Sequence, residues 1–200
     1  MQQFVVLLGV AFITVLPVLG QGLAAHPAVI VSFPNYHLPG TADDACSVDY
    51  GNMKLFGEDR QWKAHLRNGK YEQKFNFGYQ AAELKRVYCI DEGSDKYAVI
   101  FVDWTDCGGS CLNTGVVQLI KVRAASLVVI QQFTFDSHAV GTGATFDKKS
   151  RVLSIIGRSD DGSPNCCAQN FDVVEFRWQG QKFIRQRFKR IPAPQEQSGK

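Results

Sequence analysis

The residues of this 200-residue chain that could do chemistry are six cysteines, a consecutive Asp136-Ser137-His138, an acidic loop from Asp91 to Asp95 and a basic run near the C-terminus. Cys107-Gly108-Gly109-Ser110-Cys111 puts two glycines between close cysteines, a path tight enough to pair them or to aim both at other partners. Dithiol oxidoreductases lower a thiolate pKa in a motif spaced by two residues that opens a helix. Neither condition holds here, so a structural disulfide is expected over redox catalysis. Cys166-Cys167 could close a ring between neighbours, bind a metal, or form two separate bridges to the Cys107/Cys111 loop. Neighbours on an extended segment point to opposite sides, which favours separate bridges and leaves Cys46 for Cys89. His26, His37, His65 and His138 add no second ligand pair at zinc spacing, and no metal is expected at the thiols.

Asp136-Ser137-His138 has the residue types of a hydrolase triad, but three consecutive residues cannot surround a substrate as base, orienter and nucleophile must. A polar turn is expected instead. No nucleophile elbow, HExxH or phosphate loop occurs, and no catalytic residue is assigned. Asp91-Glu92-Gly93-Ser94-Asp95 offers clustered oxygen ligands, with Asp91 and Asp95 the pair that could hold calcium. The ordinary alternative is a polar turn ahead of a buried strand, and no cofactor is expected. Arg185, Arg187 and Lys189 alternate, which would set three cations on one strand face near Trp178 and give a candidate surface for an anionic polymer or an acidic partner. The competing reading is a charged edge that discourages strand pairing. Trp62, Tyr71, Phe75 and Trp178 are the aromatic residues to expect on a binding surface.

The elements that must position these groups read as strands. Tyr71, Phe75, Phe77 and Tyr79 alternate along one expected strand face, and Tyr97 to Trp104 (YAVIFVDW) is apolar and β-branched between turn residues. Val116 to Val122 and Leu127 to Phe135 form an expected hairpin, and Arg151 to Gly157 follows a polar turn. Phe171 to Trp178 and Lys182 to Ile191 pair across Gln179-Gly180-Gln181. Helix is confined to Gln80 to Val87, which could equally be an edge strand. The expected fold is all-β and mainly antiparallel, a β-sandwich or open barrel with at most one or two short helices.

Phe4 to Leu19 is an apolar run closed by Gly20, Gly22, Ala24 and Ala25, the profile of a signal peptide over residues 1–25. Pro17 and the length argue against a membrane span, so membrane contact is expected only through an uncleaved signal segment; no cysteine follows for lipid attachment. Residues 26–191 then form one domain, irregular over 26–70, and 192–200 reads as a disordered tail. An even number of cysteines fits oxidation after export to the periplasm or cell exterior. A net charge of +3 lacks the dense basic stripe of nucleic-acid binding.

The strand Tyr97 to Asp103, the Cys107-Gly108-Gly109 loop, Ser163-Pro164-Asn165-Cys166-Cys167 and Phe176-Arg177-Trp178-Gln179-Gly180-Gln181-Lys182-Phe183 occur in an order that resembles the LppP/LprE-type group of bacterial exported lipoproteins and secreted domains, over about residues 85–191. The resemblance implies a β-rich exported domain with no assigned activity. This chain has Gly93-Ser94-Asp95 where the group commonly has Gly-Asp-Gly, and it has no acylated cysteine. The resulting expectation is an uncharacterised secreted bacterial protein, a non-catalytic module that binds an envelope protein or anionic polymer. A secreted hydrolase and a thiol-redox accessory protein are the alternatives.

Overall fold

A computed structural model describes residues 28–34, 36–38, 44–56, 63–108, 111–123, 126–159 and 169–193. The expected signal segment, His26, Trp62, Cys166, Cys167 and the chain after Ala193 lie outside the described residues. The fold is all-β, two antiparallel sheets packed as a sandwich. Strands β1 (Val29–Ser32), β2 (Tyr36–Leu38), β5 (Lys70–Phe75), β6 (Gly78–Glu92), β7 (Asp95–Cys107), β8 (Cys111–Arg123) and β9 (Ser126–Asp136) make the large sheet. Its order is β1-β9-β8-β7-β6-β5, with β2 extending the β9 edge. Strands β10 (Gly143–Asp147), β11 (Val152–Arg158), β12 (Asn170–Trp178) and β13 (Phe183–Pro192) form the small sheet as a meander. A two-stranded ribbon, β3 (Lys54–Phe56) and β4 (Lys63–His65), stands apart.

The apolar run at the centre of β7 is continuous because both its faces are buried. Tyr97, Val99 and Phe101, with Phe133 of β9, face the small sheet, where Leu153, Ile155, Val174, Phe176, Trp178 and Phe183 complete one core. Ala98, Ile100, Val102 and Trp104 face the other way, into a second core. That second core is closed by the segment expected to be irregular. Single 3-10 turns at Ala45–Ser47 and Tyr50–Asn52 and the short ribbon carry Ala45, Tyr50, Met53, Leu55, Ala64 and Leu66 onto the large sheet. Each large side chain removed from water on either face contributes on the order of 1.5–3 kcal/mol.

Three sequence expectations need correction. Tyr71 to Tyr79 is not one strand: the chain reverses at Asn76-Phe77, so β5 and β6 pair from Phe75↔Gly78 outward. Gln80 to Val87 is strand and not helix: Gln80 to Glu83 pair with both β5 and β7, whereas Arg86 and Val87 pair with β7 alone, so the expected edge character holds for the second half, and ladder pairing outweighs a small helix propensity. Cys107 is bonded to Cys111, across the register pair that ends β7 and begins β8, and not to Cys166 or Cys167. Cys107 and Cys111 are direct cross-strand partners with Cα atoms 4.1 Å apart, which puts each within reach of the other and leaves neither for a distant partner. Cys46 pairs with Cys89 as expected and fastens the first 3-10 turn to β6.

The closed loops differ greatly in length, with separations of 43 and 4 residues. Chain-entropy arithmetic makes the long bridge worth about 4 kcal/mol and the short one about 2 kcal/mol. Thermal unfolding of Cys46→Ala/Cys89→Ala and of Cys107→Ala/Cys111→Ala checks this: the first double variant should lose more stability, and equal or reversed losses contradict it.

Candidate functional site

Strands β6 to β9 run 11 to 15 residues, whereas those of the small sheet run 5 to 10, so the small sheet covers only part of the face it packs on. Beyond it the same face of β5 to β8 is open and lines a trough of roughly 850 Å³. Register fixes its floor. One row across the strands is Lys70, Glu83, Asp103 and Gly115; the next is Glu72, Ala81, Thr105 and Asn113. Gly115 is required there, since a Cβ would collide with the Phe135 ring that lies across it. Ser137, Thr142 and the start of β10, Gly143 and Ala144, form the wall.

A β-bulge between Leu84 and Arg86 shapes the trough. Strict alternation would send Lys85 and Arg86 to opposite faces; the extra residue brings both onto the trough side. Lys85 Nζ donates to Glu83 Oε2 at 2.5 Å and lies 3.5 Å from Asp103 Oδ2. That hydrogen bond, ahead of the Lys85 and Lys70 charges, holds the Glu83 carboxyl below its ordinary value, and it raises the Lys85 pKa in turn. Glu83 is therefore an anion and not a proton donor near neutrality. Thr105 Oγ1 donates to Asn113 Oδ1 at 2.9 Å, and the Asn113 amide nitrogen lies 3.3 Å from His138 Nδ1.

The residues singled out in the sequence do not converge on this trough or on one another. In the β6–β7 hairpin Asp91 opposes Lys96 and Glu92 opposes Asp95, so Asp91 and Asp95 lie on opposite faces of the hairpin. Each is engaged elsewhere: Asp91 with Lys96 at 3.1 Å, Asp95 with Lys121 at 2.8 Å. The Lys121 hydrogen bond lowers the Asp95 pKa. Among the described residues no group of three His, Cys, Asp or Glu side chains is placed to hold a metal. Asp136 accepts the His138 backbone N–H at 2.8 Å, a turn contact, and its other oxygen lies 3.5 Å from Arg158. The Asp-Ser-His triplet is the end of β9 and its exit: Asp136 closes the strand and the Ser137 N–H still donates to the Asn113 carbonyl of β8 at 2.9 Å.

Trp178 is not on a binding surface. It is 6% exposed, its ring packs edge-on to Tyr97 and Phe183, and Nε1 donates to Glu92 at 2.9 Å. Glu92 also receives Arg151. The alternation of Val174, Phe176 and Trp178 in the sequence is the signal that assigns all three to the core. Tyr71 is likewise half-buried, stacked on Trp104, while Phe75 is exposed.

The cations of β13 are exposed but do not share one face. The register slips between Glu175 and Phe176, leaving Gln186 as the extra residue: Arg185 opposes Phe176 on the inner side, whereas Arg187 and Lys189 oppose Glu175 and Val173 on the outer side. The result is a basic ridge along an open sheet edge. Arg190 is held by Asp172 through 2.7 and 3.1 Å contacts; Arg185, Arg187 and Lys189 make no ion pair among the described residues. Sequence reasoning did not single out Lys70, Glu83, Lys85 or Arg86, and only a charged cluster inside a strand could have signalled them.

Comparison with protein-family models, curated proteins and solved structures finds no match to this chain. No helix among the described residues is long and apolar enough to cross a membrane.

Because the folded Glu83 pKa lies below its ordinary 4.5, its pairing contributes stability above that pH, and the contribution is lost as pH falls through the folded value. The pair is half-exposed, which limits it to under about 1 kcal/mol. Lys85→Met should thus cost under about 1 kcal/mol at neutral pH and nothing below the carboxylate range. Denaturant melts from pH 2 to 7 check this; a deficit that persists undiminished in acid contradicts it.

Proposed function

We propose that this is an exported, non-catalytic binding module of the bacterial envelope and that its basic ridge on β13 engages an anionic polymer. The observation that carries this reading is the set of exposed cations Arg185, Arg187 and Lys189, without an ion pair among the described residues, on an edge strand of the small sheet. Arg187 and Lys189, two apart on the outer side, are about 6.6 Å apart along the strand, and Arg185 adds a third positive charge on the inner side beyond the bulge. The bulge at Gln186 and the charges on both faces discourage backbone strand addition, which favours a polymer read by side chains over an acidic protein segment added as a strand. Disulfides fit an oxidising compartment, and the resemblance to exported lipoprotein-type domains points the same way; periplasmic or extracellular location belongs to this proposal. The hydrolase alternative has less support, since Glu83 is held ionised by Lys85 and Asp136 bonds the His138 backbone N–H and not its imidazole. The redox alternative would need Cys107 and Cys111 free for exchange.

Heparin and neutral dextran serve as probes on the mature chain. Heparin should bind with an affinity that falls as salt rises, and dextran should not bind. Arg185→Gln/Arg187→Gln/Lys189→Gln should weaken heparin binding by about tenfold or more and flatten its salt dependence. Equal binding by the triple variant, or none by the wild type, contradicts the proposal.

A further inference from the structure

We propose that the trough is a second binding site, separate from the β13 ridge, and that it takes a small hydroxylated carboxylic acid of the sugar-acid class with its carboxylate on Arg86. The ridge and the trough lie at opposite edges of the small sheet, β13 at one and the start of β10 at the other. A volume of roughly 850 Å³ lies within the range of about 300–1,000 Å³ common for small-molecule sites.

The charge count in the trough leaves one positive charge over. Lys70, Lys85 and Arg86 face Glu83 and Asp103, while Glu72 is matched by Lys74 at 3.4 Å. Lys85 is taken up by both carboxylates. Arg86 and Lys70 make no side-chain hydrogen bond or ion pair among the described residues. Arg86 stands directly across from Phe101, and its planar fork matches a carboxylate in a bidentate arrangement, which a lysine cannot reproduce. The bulge that turns Arg86 inward is a device found beside binding and active sites, where it re-aims a side chain. Across the floor, Thr105 and Ser137 present hydroxyl groups. A neutral sugar would leave Arg86 unmatched, and a bare anion would leave that polar wall unused.

Calorimetric titration of the full mature chain with sodium glucuronate, and with glucose as the uncharged control, tests this. Saturable glucuronate binding is expected, with glucose at least about tenfold weaker. Arg86→Gln should weaken glucuronate by about tenfold or more, and Arg86→Lys should recover only part of the loss. The ridge variant Arg187→Gln/Lys189→Gln should bind glucuronate as the wild type does, so failure here is distinguishable from failure of the polymer proposal. Arg86 is exposed and makes no side-chain hydrogen bond or ion pair among the described residues, so an unchanged melting temperature in Arg86→Gln is expected and guards against a folding artefact. Absence of glucuronate binding, equal glucose affinity, or indifference to Arg86→Gln overturns the assignment.

Discussion

The carboxamide of Gln131 is 1% exposed and bound to both backbone groups of Phe183, donating from Nε2 to its carbonyl at 2.9 Å and accepting its N–H at Oε1 at 2.8 Å. A side chain of the large sheet thereby takes the place of a neighbouring strand at the start of β13. Around this clamp lies the aromatic layer between the sheets, with Phe133 edge-on to Phe176 and Phe183, and Phe183 edge-on to Phe146 and Trp178. Edge-to-face pairs add about 0.5–1.5 kcal/mol each beyond burial of their area. The polar clamp supplies the position, because Phe183 shifted along the sheet would leave its N–H and carbonyl buried without partners. Glu92 on the Trp178 indole is a second tie of the same kind at the rim. Where the small sheet is seated decides which part of the large sheet stays open, so both the trough and the exposed edge of β13 follow from it.

Much of this architecture was legible in the residue pattern. The apolar run Tyr97 to Trp104, with its β-branched content and flanking turn residues, reads as a strand in preference to a helix, and the two cores on either side of β7 account for its lack of alternation. Gln179-Gly180-Gln181 was readable as a hairpin connection, and Gly180 adopts φ 72°, a conformation that glycine takes without strain. The Cys46–Cys89 pair emerged as the remainder of a pairing scheme whose other half was wrong. The local Cys107–Cys111 bridge depended on β7 and β8 being direct neighbours in register, a tertiary fact that spacing alone does not carry.

The candidate surfaces were less legible, for a definite reason. A bulge inserts one residue and reverses the face of everything beyond it, and no residue type marks its position. One bulge moves Arg185 away from Arg187 and Lys189; another brings Lys85 and Arg86 to the same side. Alternation therefore places the β13 cations on one face when they straddle two, and it gives no hint of the trough. The N-terminal segment was obscure because its apolar pieces are short and stabilised by packing on the large sheet more than by their own periodicity.

Native-state hydrogen exchange on Gln131→Leu tests most directly whether the small sheet depends on this clamp. The variant keeps the side-chain bulk and leaves the Phe183 N–H and carbonyl without their partner, at about 1–3 kcal/mol for each group. Slowly exchanging amides in β11 to β13 should lose protection by roughly thirtyfold or more, the equivalent of about 2 kcal/mol, while those at the centre of β7 and β8 keep theirs. Unchanged exchange in β11 to β13, or an equal loss across both sheets, would contradict the account of a small sheet seated by Gln131.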